Sequence, residues 1–384
     1  MFSLRAGSFF TPAVPILHVR SKNMKKILSV LLSVMLFVSG MALFAACTPN
    51  EPAPVRTTLK IVGDVQELYG GENGWPQAVL VAKKDFIAEN AEFVEDFIAA
   101  MQANEDWLAA EDTQPQAIVD AITDHLGGAN PTFNAKNLTK EVIANCAIRF
   151  EAAADCKEEV NAFLQSLTAV GAQGLSVSDD FYYKPGSDDP GSAAAEVVAD
   201  IYAPDGAPAL SLAQLMSEDM QFGKGNTVTY NVVAASSIQT YVTGEDPQAE
   251  LCVLPVNAAA KLLGKGDVYQ MLGTVTHGNI YVLSAAEGYA DLTAANLKEQ
   301  LLGKTVGCIQ LDNVVGLTLK VVLDNNDIPF EVIEDVSEAT GSDVVYLLNI
   351  SDPATMITPA APYDYMVAAE PVVSAKVNAS AKAA

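Results

Sequence analysis

The chain has 384 residues, half of them apolar and 18% charged, with a mean hydropathy just above zero. That is enough apolar side chain for two compact lobes, and it excludes a disordered chain and a multi-span membrane protein. The formal charge is −25, and because the first 46 residues hold five cations (Arg5, Arg20, Lys22, Lys25, Lys26) and no acid, the remainder sets 17 basic against 47 acidic residues. Nucleic acid is excluded as a partner, since neutralising phosphates takes clustered cations. Beyond the leader the only histidines are His125 and His277, and no CxxC or HxxxH spacing occurs, so neither a metal nor a cofactor is expected.

Met24-Lys25-Lys26 opens a short cationic segment, and Ile27 to Ala46 follows as an uninterrupted weakly polar stretch. That is the layout of a secretory signal, so residues 1–46 are read as a signal region with its better start at Met24, and 47–57 as a linker. The small pair Ala45-Ala46 before Cys47, and Thr48-Pro49-Asn50-Glu51-Pro52 after it, resemble the lipobox of bacterial lipoproteins, although Phe44 stands where leucine is usual. The resemblance implies a lipidated Cys47 as mature N-terminus and an extracytoplasmic protein anchored to the cell membrane. The alternative is a retained spanning helix, for which about 20 apolar residues suffice. Export would leave a Cys146–Cys156 bond open to the chain, while Cys252 and Cys308 sit inside apolar runs and read as small buried hydrophobes.

From residue 58 to 170 the pattern is mainly helical. Phe93, Phe97 and Met101, and Val160, Phe163, Leu164 and Leu167, recur at helical spacing opposite charged faces. Leu59–Val62 and Ala78–Ala82 are the two strand-like exceptions. Residues 171–197 are rich in Gly, Ser, Asp and Pro and read as a connecting tether. From Val198 onward short apolar runs alternate with helical patterns: Ile201-Tyr202, Val228–Val233, Leu251–Leu254, Thr305–Ile309, Phe330–Ile333 and Tyr365–Ala368 as strands, with helices between them and a last one at Val372–Val377. Strand, helix, strand at this spacing argues βαβ units, an α/β class and largely parallel sheets.

In open α/β sheets ligands bind beyond the strand C-termini. The turns there are small, polar and neutral: Asp205, Gly206 and Ala207; Ser236 and Ser237; Asn257; Gln310, Asp312 and Asn313; and Glu370. Each alone reads first as a helix cap; five in series suggest a lined cleft. No Lys or Arg falls in these turns, which favours a neutral or weakly cationic solute. His277, beside Thr276 and Asn279, reads as ligand contact or hinge support rather than a base, and Glu370 equally as an acid or a cap. No nucleophile elbow, phosphate loop or dinucleotide fingerprint is present, so no catalytic residue is assigned and the chain is not expected to be an enzyme.

Taken together, Tyr202–Ala209 (YAPDGAPA), Leu254-Pro255-Val256-Asn257, Gly273–Val282 (GTVTHGNIYV) and Gly303-Lys304-Thr305-Val306-Gly307 resemble the solute-binding proteins of ABC importers, in the branch taking up thiamine-pyrimidine precursors, sulfonates and nitrate. Val62–Leu68 and Pro76–Lys83 match that family as well. The resemblance covers nearly all of residues 58–378. It implies a two-lobed type II periplasmic-binding-protein fold, each lobe a mostly parallel sheet flanked by helices, closing over a solute. In the family, however, the part resembling 198–378 comes first and the part resembling 58–170 follows. The chain therefore looks circularly permuted, with 171–197 joining the usual end to the usual start.

The expected layout is one lobe of residues 84–280, containing the connecting loop 171–197, a second assembled from 58–83 plus 281–378, and a tail at 379–384. The chain end near Lys376 must then fold back beside Lys60. The reading is a lipid-anchored receptor that binds a small organic solute and serves an ABC permease, as a monomer, with Tyr69 or Trp75 as stacking walls. Two alternatives are an enzyme on the same fold related to thiamine-pyrimidine synthesis and an anchored module that has lost solute binding.

Overall fold

The computed structural model describes residues 55–71, 73–127, 131–186 and 196–383. The signal region, Cys47, most of the linker and residue 384 lie outside the described residues. In chain order the elements are β1 (Arg56–Asp64), α1 (Val65–Tyr69), β2 (Ala78–Lys83), α2 (Lys84–Glu89), α3 (Ala91–Ala109), α4 (Pro115–Asp124), α5 (Lys140–Asn145), β3 (Ile148–Ala152), α6 (Ala153–Ala169), β4 (Val198–Pro204), α7 (Ala207–Leu210), α8 (Ala213–Ser217), β5 (Thr227–Val233), β6 (Leu251–Pro255) and α9 (Val256–Leu263). They continue with β7 (Tyr269–Thr276), β8 (Ile280–Ala286), α10 (Leu297–Leu301), β9 (Thr305–Ile309), α11 (Val314–Asn325), β10 (Phe330–Val332), β11 (Val345–Ile350), α12 (Pro353–Met356), β12 (Tyr365–Ala369) and α13 (Val372–Ala383). No described helix is long and apolar enough to cross a membrane.

The fold is mixed α/β, built on two six-stranded sheets. One has the order β1-β8-β12-β9-β11-β10 and the other β3-β7-β2-β6-β4-β5. Both are mixed rather than mostly parallel. Pairs β12–β9, β9–β11 and β11–β10 are parallel in the first sheet, as are β6–β4 and β4–β5 in the second, and every other pair is antiparallel. The cause is the two crossings between sheets. The chain leaves β1 and β7 at the edge where the parallel strands end, and enters β2 and β8 at the corresponding edge of the other sheet. A strand entered there runs against its parallel neighbours: Ala78 pairs with Pro255 and Thr276, and Ile280 with Ala369. The same pairing moves 78–83 out of the company of 58–77, so the second sheet takes its first strand from Ala78 and not from residue 84 onward.

Strands covered on both faces read as continuous apolar runs. In β12, Tyr365 and Val367 face a core shared by both sheets, while Met366 and Ala368 face an outer one with Leu59, Tyr346 and Val373. Between the sheets α6 packs against α11. The buried α6 residues Val160, Phe163, Leu164 and Leu167 contribute roughly 1.5–3 kcal/mol each as fully buried side chains. A third core lies under α3, α4, α5 and α8, on the far face of the second sheet. At the chain end, α13 lies against β1.

The connecting segment is not a loose tether where it is described. Phe181, Tyr182 and Tyr183 are buried, Tyr182 forms a bridge with Met271, and its hydroxyl donates to Asn161 Oδ1 at 2.8 Å. Three aromatics inside a polar stretch dock it on β7. Nor are Cys146 and Cys156 bonded. Both are free and buried, in different cores, as Cys252 and Cys308 are free and buried. Burial pushes the Cys156 and Cys308 thiols up to about 12.

Candidate functional site

The crossings place the terminal edges of the parallel strands of both sheets toward one another. Two short segments connect them, Gly70 to Gln77 and His277 to Asn279. They run side by side: Gln77 N–H donates to the Thr276 carbonyl at 2.9 Å and Gln77 Nε2 to Asn279 Oδ1 at 2.9 Å. Gln66 Oε1 accepts from both Asn279 N–H (3.0 Å) and Ile280 N–H (2.9 Å), fixing the second crossing onto α1. Asn279 holds a left-handed φ of 90° there, a conformation asparagine tolerates better than most residues.

Between the sheets lies a cavity of about 650 Å³, in the size range of small-molecule pockets. Four of the residues singled out from the sequence line it together: Asn257, Gln310, Asp312 and Asn313. Asn257, at the start of α9, donates through Nδ2 to Asn313 Oδ1 at 3.0 Å, bridging the two sheets. Asn313 is the N-cap of α11 and also accepts from its own helix at Val314 N–H. Gln310 takes φ 53° immediately after β9, a strained turn of the kind that gathers at binding sites. Gln173, Gln239 and Asn349 complete a wall of side-chain amides.

Two lysines also line the cavity, Lys261 and Lys320. The turns alone are free of cations; the cavity is not. Lys261 lies one helical turn beyond Asn257, and Lys320 two turns beyond Asn313, so each shares a helix face with that asparagine. Lys320 Nζ sits 3.4 Å from Asp312 Oδ1. The signal is present in the i+4 and i+7 spacing, but it falls inside helices rather than in turns.

The other candidates are held elsewhere. Asp205 Oδ2 accepts from Thr132 N–H (2.8 Å) and Oγ1 (2.6 Å), pinning the loop before α5, and Gly206, at φ 110°, opens α7 with Ala207 buried behind it. Ser236 is exposed, and Ser237 Oγ closes its own turn onto the Ala234 carbonyl at 2.9 Å. Thr276, His277 and Asn279 are buried in the second crossing. Tyr69 and Trp75 do not form cavity walls: Trp75 is fully buried, stacked at 27° on Phe163 with Tyr69 packed against both. Their rings belong to the shared core that seals the crossing.

Glu370 is buried and behaves as a cap. Its Oε1 accepts from Ser374 Oγ at 2.6 Å and its Oε2 from Ser374 N–H at 3.1 Å, with Asn145 Nδ2 reaching across at 3.5 Å. His277 Nε2 is hydrogen-bonded with Thr274 Oγ1 at 2.9 Å. Desolvation, helped by the Arg149 guanidinium, holds the imidazole down to about 3. It is therefore neutral, and its 3.7 Å approach to Glu151 Oε2 is a contact rather than an ion pair. Such a group supports a crossing and accepts no proton near neutrality.

Among the described residues no cluster of His, Cys, Asp and Glu could hold a metal ion. The chain matches no protein-family model and no curated protein.

Proposed function

We infer that the chain is the solute receptor of an ABC importer: an exported protein, anchored through a lipid on Cys47, that closes two lobes over a small organic solute and hands it to a membrane permease. In this reading the fold is of the type II periplasmic-binding kind with its segments in permuted order, and the protein works as a monomer. The observation that carries it is the pair of sheets whose strand ends approach one another across two crossing segments, with an amide-lined cavity of about 650 Å³ between them. Two crossings make a natural hinge, and hinge closure is how such receptors trap a ligand.

A thermal-shift screen of the full chain against small solutes tests it. A ligand at 100 times its dissociation constant stabilises by about 2.7 kcal/mol, whereas a screen in which nothing stabilises the protein counts against the reading. Recovering the bound solute chemically unchanged separates a receptor from an enzyme. Anchoring is checked independently by radiolabelled palmitate incorporation, which Cys47→Ala must abolish.

A further inference from the structure

Lys320 is withdrawn from water, at 7% exposure, while its one hydrogen-bonded partner among the described residues, Asp312, has a side chain 98% exposed and lies at the long distance of 3.4 Å. A desolvated ammonium needs a close anion equally removed from water; a hydrated carboxylate at that distance is a poor match. At the helix N-termini beside it, Asn257 Oδ1 already accepts from Ala258 N–H and Asn313 Oδ1 from Val314 N–H. Lys261 adds a second cation, so the wall carries two positive charges against one negative.

We propose that the solute is a hydrophilic monocarboxylate, its carboxylate seated on Lys320 in place of Asp312 and its hydroxyl or amide groups paired with the surrounding side-chain amides. One negative charge balances the wall, and a cation would be repelled by it. The proposal rests on the receptor reading above.

The test is calorimetric titration of the full chain with glycerate, gluconate, pantothenate and N-acetylglycine, each beside its uncharged primary amide, with glucose and thiamine as neutral and cationic comparisons. At least one acid must bind while its amide binds at least about tenfold more weakly, as expected when a charge-assisted contact is lost. Lys320→Met must lower the acid's affinity by about tenfold or more. Asp312→Asn, at an exposed position that leaves the core undisturbed, must tighten acid binding by removing the competing anion. Unchanged or weaker acid binding in Asp312→Asn, equal binding of acid and amide, or binding of glucose or thiamine with every acid inert overturns the proposal and leaves the receptor reading standing. Absence of binding by any solute, charged or uncharged, sinks both.

Discussion

The Ser380 hydroxyl accepts from the backbone N–H of Leu59 at 3.0 Å and donates to the Val377 carbonyl at 2.9 Å, tying the last helix to the first strand across 321 residues of sequence. β1 is the edge of its sheet, and an edge strand presents unpaired N–H groups that proteins cover. Here the cover is α13. Ser380→Ala leaves a buried donor without a partner, and its expected cost is about 1–3 kcal/mol, read as a lower urea midpoint with unchanged slope.

The same adjacency predicts that the chain can be reconnected. A protein running from 196 to 384 and then, through a short linker, from 55 to 186 should fold with the same circular dichroism spectrum and with stability within about 2 kcal/mol of the parent, since closing a loop of different length shifts stability only slowly. A reconnected chain that cannot fold would remove the case for permuted order.

Much of this arrangement is legible in the residues, and the limits have physical causes. Short apolar runs announce β1, β2, β4, β5, β6, β9, β10 and β12; apart from β10, whose Phe330 is half-buried and whose Glu331 and Val332 are exposed, these are strands buried on one or both faces, which leave that trace. β3 is submerged in a helical region: it is five residues long, lies between α5 and α6, and only Ile148 is buried. β2 is visible as a strand, but its local pattern does not say which sheet it joins, because pairing partners are set by chain crossings that no local pattern records. In the cavity, Asn257 and the cap residue Asn313 can be read from their position after strands. Lys320 is harder to read: its i+7 spacing from Asn313 is there, but a lysine among the apolar residues of α11 reads as a solvated side chain until the helix is docked.

Gly74 brings the two crossings together. Its φ is +73°, and a Cβ there would lie 2.2 Å from the His277 carbonyl oxygen, which is backbone and cannot swing aside. At Gly70, with φ +87°, an added Cβ would meet nothing within 4 Å. Gly70→Ala is therefore expected to cost only the left-handed penalty of about 1–2 kcal/mol, and Gly74→Ala distinctly more, about 3 kcal/mol or above, by adding a steric clash to it. Parallel urea titrations of the two variants check the difference, and equal losses would show that the crossings are free to separate.

His277 makes stability depend on pH on the acid side. Its folded value of about 3 lies below the ordinary 6.5, so as pH falls through 6.5 the unfolded chain takes up a proton that the folded protein refuses. The contribution is whole above about pH 6.5 and declines toward pH 3 at up to about 1.4 kcal/mol per pH unit. Glu151 and Arg149 face the ring and are retained in His277→Gln, so the difference between wild type and variant isolates the imidazole. The gap between their unfolding free energies should shrink by about 1 kcal/mol or more from pH 6.5 to pH 5; a constant gap would mean the ring is hydrated in the native state.

The Asn257–Asn313 bond joins the two sheets, so if the crossings act as a hinge its loss should show in shape as well as in stability. Asn313→Ala removes the cap of α11 and the bridge together, at an expected cost of about 1–2 kcal/mol. Asn257→Ala removes the bridge while leaving the α11 cap, at about 0.5–1.5 kcal/mol. Because both variants break one shared contact, the double variant should lose less than the sum of the singles. Small-angle scattering then distinguishes a latch from an ordinary surface bond. If the two amides hold the cavity closed, each single variant has a larger radius of gyration than wild type and Ser380→Ala, destabilised at least as much as Asn257→Ala but remote from the crossings, does not. Equal radii throughout would show that α6, α11 and the shared core, rather than this pair, set the distance between the sheets.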